Sequence, residues 1–106
     1  MSAGEMKPLF VPLRIEYYEA FARGEKHSEL RLYGPRWNER TCVPGRRVIL
    51  SKGYGKENRM NAVIWQFLKR DAHTFGSTYQ ASVLRIFGTL DKPIAEIRLA
   101  IVESAA

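Results

Sequence analysis

The chain has 106 residues, of which 45% are apolar: enough for one ordinary core, too short for two domains. A single cysteine, Cys42, excludes an intramolecular disulfide, and no apolar run approaches the roughly 18–20 residues of a membrane span. The formal net charge is +6, and residues 36–70 alone hold nine basic and two acidic side chains, a concentration that suits a polyanion or phosphate partner as well as a solvated surface.

Leu9 to Leu13 is a short apolar stretch whose Pro12 makes it a sheet edge or a strand start. Ile15 to Arg23 reads as a helix, with Ile15, Tyr18, Phe21 and Ala22 on one apolar face and Gly24 as its stop. Ser28 to Tyr33 alternates: Leu30 and Leu32 point one way, Glu29, Arg31 and Tyr33 the other. Residues 36–45 form a loop with Trp37, Cys42 and a Pro44-Gly45 turn, followed by a compact strand from Arg47 to Ser51. Gly53-Tyr54-Gly55 is a loop rimmed by Lys52, Lys56 and Arg59. Met60 to Lys69 is apolar on both faces, as a central strand would be, and Trp65 is expected in the core.

Ser77 to Phe87 is a second helix, with Ser77 and Gln80 spaced as a capping box and Tyr79, Val83, Ile86 and Phe87 as a core-facing stripe. Gly88 ends it. Ile94 to Val102 closes the chain with Ala95, Ile97, Leu99 and Ile101 facing inward. The order β-α-β-β-β-α-β predicts an α+β fold: about five strands in a small, partly open β-barrel with two flanking helices. Residues 1–106 are expected to form a single domain with its core over about 9–103, and residues 1–7 and 104–106 to be loose ends. Met1 to Lys7 lacks the apolar stretch of a signal peptide, so a cytoplasmic protein is expected.

Gly24-Glu25-Lys26-His27-Ser28-Glu29-Leu30-Arg31 reads G-x-K-x-x-E-x-R at a helix-to-strand junction. Gly24 lets the chain leave the helix sharply, and Lys26 is presented from a short connection. Glu29 and Arg31 are two apart on a strand, so they share a face and can pair. Such a set suits a base, a phosphate or a carbonyl group; the alternative is an ordinary surface salt bridge. Tyr54, between two glycines and flanked by lysines, suits stacking on a base, and Trp37 could stack or pack over the barrel edge. His73 has no second histidine or cysteine at ligand spacing, so no zinc site and no metal is expected. Gly53-x-Gly55 lacks the setting of a dinucleotide loop, and no cofactor is expected.

The octapeptide resembles the signature of the ASCH family, a branch of the PUA-like barrels. Tyr17, Tyr18 and Ala20 precede it as in family members, and Pro44-Gly45-Arg46-Arg47-Val48-Ile49-Leu50 resembles the family's turn into a strand, with Arg46 where Asp is usual. The resemblance implies binding of RNA, another nucleic acid or a modified nucleoside. Lys26 would contact a phosphate or carbonyl oxygen, Glu29 would orient it, and Arg31 would add a bidentate contact. Trp37 and Tyr54 would stack, and Lys52, Lys56 and Arg59 would steer a backbone. Some family members are similar to N4-acetylcytidine amidohydrolases and others to ribonucleases, so a hydrolase using Lys26 and Glu29 is the alternative. The amidohydrolase threonine does not carry over: residues 27–29 are His27, Ser28 and Glu29. A third reading is a module whose basic face binds an acidic protein.

Overall fold

The computed structural model describes residues 2–102. Residue 103, the end of the expected core, and the expected loose C-terminal end lie outside this range. The elements are β1 (Leu9–Leu13), α1 (Ile15–Ala22), β2 (Ser28–Leu32), β3 (Arg47–Lys52), β4 (Arg59–Arg70), α2 (Ser77–Phe87) and β5 (Ile94–Val102). Single 3-10 turns cover Ala3–Glu5 and Ala72–Thr74. The N-terminal segment is therefore less loose than expected, and Arg46 ties it down by donating to the Lys7 carbonyl at 2.9 Å.

The strands form one five-stranded sheet in the order β1-β3-β4-β5-β2. Only β1 and β3 run parallel. The long, doubly apolar β4 is central, and Pro12 sits on an edge strand, where its missing N–H costs no ladder bond. The sheet curls into a half-barrel whose free edges are β1 and β2. Arg31 bridges them, its Nη2 donating to the Pro12 carbonyl at 2.7 Å.

Val11, Leu13, Val48, Leu50, Ile64 and Ile97 fill the half-barrel, joined by Phe21 of α1. A smaller cluster of Ala72, Val83 and Ile94 lies under α2. Cys42 is fully buried beside the main core, and burial pushes its thiol up from the usual value. Native protein should therefore resist a thiol-specific reagent such as a bis-nitrobenzoate disulfide at pH 8. Guanidinium-unfolded protein should react completely, and fast labelling of folded chain would contradict this placement.

Four local expectations are corrected. Ile15 is exposed, so α1 enters the core through Phe21 with Tyr17 and Tyr18 partly buried. Trp65 is 55% exposed, because Ala62 and Ile64 face inward and alternation turns their neighbour out; the β-bulge that leaves Trp65 unpaired before Gln66 instead brings Phe67 back to the core side. Ile101 is exposed near the end of β5. The Ser77–Gln80 capping box does not form: Gly76 is the N-cap, and the Gln80 amide donates instead to the His73 and Phe75 carbonyls at 3.0 and 2.8 Å.

Candidate functional site

Gly24 adopts φ +75, a left-handed conformation that ends α1, and the amides of Glu25 and Lys26 both donate back to the Ala20 carbonyl. This turn delivers Lys26 to the start of β2 with its side chain over the rings of Tyr17 (5.2 Å) and Phe21 (5.4 Å). Its ammonium lies 3.5 Å from Glu29 Oε1. On the other side of the carboxylate, Arg31 Nε donates to Glu29 Oε2 at 3.0 Å. Glu29 is only 6% exposed. It is thus a buried anion clamped between two cations, and the cluster keeps one net positive charge. This is more than a surface ion pair, because the pairing happens where water is largely excluded.

The cluster forms one wall of a cleft of about 310 Å³ at the open seam of the half-barrel. Pro12 and Arg14 supply the β1 side, Tyr17 the α1 side, and Tyr79, Ser82 and Ile86 of α2 the roof. The apolar stripe of α2 was expected to face the core. Only Val83 does so fully, while Tyr79 is 64% exposed and Ile86 is also exposed. The stripe is shared between the small cluster and the cleft, which explains why it is apolar without being buried. Three cations and one carboxylate line the cleft beside two tyrosines. That mixture can hold a planar ring on an apolar face and an anion against the cations.

Of the two readings of Trp37, its burial fits packing over the barrel edge. It is 9% exposed, in the core, with the Arg31 guanidinium 4.8 Å and the Arg36 guanidinium 5.2 Å from its ring. It backs Arg31 instead of facing outward. Tyr54 is 83% exposed and stacks on Phe10 at 6.2 Å, an aromatic partner the sequence reading missed. The Arg59 guanidinium sits 5.2 Å from the same Phe10 ring, and Lys52 pairs with Glu19 of α1 at 3.3 Å. Lys56 is exposed on the same hairpin. None of these hairpin residues lines the Lys26 cleft, so Lys26, Glu29 and Arg31 form one group and Tyr54, Lys56 and Arg59 another. Away from both, the Tyr33 hydroxyl donates to Glu39; this bond raises the Tyr33 hydroxyl and lowers the Glu39 carboxyl from their usual values.

A second carboxylate was missed altogether. Glu96 is 8% exposed and accepts from Arg70 Nη1 at 2.7 Å and Arg98 Nε at 2.9 Å. Its signal was present: Glu96-Ile97-Arg98 repeats the spacing of Glu29-Leu30-Arg31. Ser28 lines the cleft on the Glu96 side and does not line the Glu29 cleft. Neighbouring residues of a strand point to opposite faces, so the Ser28 hydroxyl and the Glu29 carboxylate diverge. Among the described residues no group of His, Cys, Asp and Glu side chains is arranged to hold a metal ion, and no helix is long and apolar enough to cross a membrane.

No protein-family model matches the sequence, and no curated protein matches it either. Two solved structures are similar in fold. One is a hypothetical protein, PH0355, at 16% identity and a TM-score of 0.66, covering 91% of this chain and 100% of that one. The other is a mutant of ZmASCH from Zymomonas mobilis, at 16% identity and a TM-score of 0.62, covering 92% of this chain and 76% of that one. At this identity the likeness speaks for the backbone, and with the five-stranded half-barrel and its two helices it establishes an ASCH-like, PUA-like α+β fold for this chain.

Proposed function

We propose that the chain binds single-stranded RNA, or a modified nucleoside within it, in the cleft at the barrel seam. The observation that carries this reading is the Lys26–Glu29–Arg31 cluster, a clamped carboxylate with a net positive surplus, set beside Tyr17 and Tyr79. Lys26 contacts a phosphate or carbonyl oxygen. Glu29 holds Lys26 and Arg31 in position, and the tyrosines take a base. Tyr54, with Lys52, Lys56 and Arg59, forms a flanking contact for the rest of the strand, since an exposed ring beside cations tolerates any base. The ASCH-like fold and the basic stretch over residues 36–70 agree with a nucleic-acid partner. A hydrolytic role using Lys26 is a second reading. The divergence of Ser28 from Glu29 speaks against the amide-hydrolysing form of it.

The test is fluorescence anisotropy with a labelled single-stranded RNA, repeated across a salt series. Wild type should bind with a log–log salt slope of about −1.5 to −2, as two or three phosphate contacts on a single strand give. Lys26→Ala should weaken binding at least about tenfold, the scale of one charge-assisted contact, while its circular dichroism stays native and its thermal midpoint falls by less than that of Glu29→Ala, because Arg31 still pairs with the carboxylate. A salt-insensitive affinity, or a Lys26→Ala protein that no longer folds, would sink the assignment. The same samples, made with one N4-acetylcytidine in the RNA and read by mass spectrometry, test for catalysis: deacetylation or cleavage by wild type alone establishes an enzyme.

A further inference from the structure

We infer that the Glu96 cluster marks a second nucleotide subsite, so that the ligand is a segment of at least two nucleotides folded over the open edge of β2; this rests on the nucleic-acid reading above. Leu30 pairs with Glu96 and Arg31 with Ala95. Directly paired residues share a face. Glu29 and Glu96 therefore stand on opposite faces of the same two-stranded margin, each clamped by two cations. A second cleft of about 440 Å³ opens on the Glu96 side. Its walls share Lys26, Leu30 and Tyr79 with the first cleft, so the two are lobes of one groove that rounds β2. Each lobe by itself lies toward the lower end of the roughly 300–1,000 Å³ of small-ligand sites, and the pair suits two linked units better than one free nucleoside.

The rim between the lobes is chemically prepared. His27 accepts from Leu99 at 2.8 Å and Tyr33 donates to Pro93 at 3.0 Å. In an antiparallel ladder that pattern assigns the odd-numbered residues of β2 to β5. The backbone groups of Ser28 and Leu30 face the open edge instead, with no strand beyond it among the described residues. Lys26 stands at the same rim, placed to meet the phosphodiester that joins the two units.

The second lobe has fittings for a ring and an anion. Phe75 and Tyr79 meet edge-on at 6.3 Å, and the Arg70 guanidinium lies 4.8 Å from the Phe75 ring. Glu96, fixed by Arg70 and Arg98, offers a positioned acceptor to amino or hydroxyl groups. The one other acid on the wall, Glu25, is tied to Arg23 at 3.0 Å. The first turn of α2 at this lobe contains no acidic residue and receives no side-chain cap, so it adds a partial positive charge to a wall on which Lys26 and Arg70 balance Glu25 and Glu96.

Gly76 provides a test that spares the fold. It lines the second lobe and not the first. It has φ −63 and ψ 161 at the N-cap of α2, and nothing lies within 4 Å of a Cβ added there. Asp is a favoured N-cap residue, so Gly76→Asp should fold at least as well as wild type while placing a negative charge in the lobe. Calorimetric titration at 0.15 M NaCl would compare uridine 5′-monophosphate with a uridine tetranucleotide. The expected result is a tetranucleotide affinity reduced about tenfold or more by Gly76→Asp, with the mononucleotide changed by less than twofold. If Gly76→Asp binds the tetranucleotide as wild type does while Lys26→Ala does not, the second subsite is refuted and the Lys26 cleft stands. If wild type binds neither ligand, both readings fall together.

Discussion

Glu29→Ala is expected to lower the thermal midpoint by about 10–20 °C, the equivalent of about 2–4 kcal/mol in a domain of this size. The carboxylate is 6% exposed and has Lys26 at 3.5 Å and Arg31 at 2.9 Å. Removing it leaves two like charges facing each other across a partly buried gap. Neither can turn fully to water: the ammonium is lodged over Tyr17 and Phe21, and the guanidinium is pinned to Trp37 and Pro12. The cost is thus the stranding of charge more than the loss of attraction. A consequence separates this cause from simple cavity formation. The double variant Lys26→Ala/Glu29→Ala should lose less than the sum of the single changes, because it also removes one stranded cation. Thermal denaturation followed by circular dichroism reads both effects. A Glu29→Ala midpoint within about 3 °C of wild type would show that water reaches the cluster freely, since an exposed pair is worth only about 0–1 kcal/mol.

All five strands and both helices were readable in the sequence because each carries its own local signal. Alternation gave β2 away, Gly24 and Gly88 marked the helix ends, and Pro12 marked an edge. What failed was information that no local period contains. An amphipathic stripe says that a face is apolar, not what covers it, so Tyr79 and Ile86 read as core although they roof a cleft. A strand that is apolar on both faces does not say which face is inward: Ala62 and Ile64 took the core side, which left Trp65 outside. The Lys26–Glu29–Arg31 group was visible because its members lie within six residues of chain. The Arg70–Glu96 pair was not, because its members lie 26 residues apart and meet only once β4 and β5 pair. The Tyr54 platform was half visible for the same reason: its hairpin is local, whereas Phe10 reaches it through the parallel β1–β3 pairing.

Arg31 is the residue whose loss should affect the barrel seam most, and its replacement by lysine should not repair it. Its guanidinium meets three partners at once: the Glu29 carboxylate at 2.9 Å, the Pro12 carbonyl at 2.7 Å and the Trp37 ring at 4.8 Å. The β1 and β2 edges are not hydrogen-bonded strands of one ladder, so this side chain is a direct polar link between them. Arg31→Ala removes that link, uncovers Trp37 and leaves Glu29 with Lys26 alone, an expected loss of about 2–4 kcal/mol. A lysine keeps the charge but offers a rotating ammonium in place of a planar fork. It cannot lie flat on an indole while donating to two separate acceptors, so Arg31→Lys should recover less than half of the loss. Trp37 supplies the readout that distinguishes an opened seam from general weakening. In a Trp65→Phe background, which removes the exposed indole, native-state emission should shift to the red in Arg31→Ala and partly in Arg31→Lys. Emission unchanged from the parent in both variants would mean that the seam stays closed without the guanidinium, and that the two edges are held by the α1 and loop packing around them.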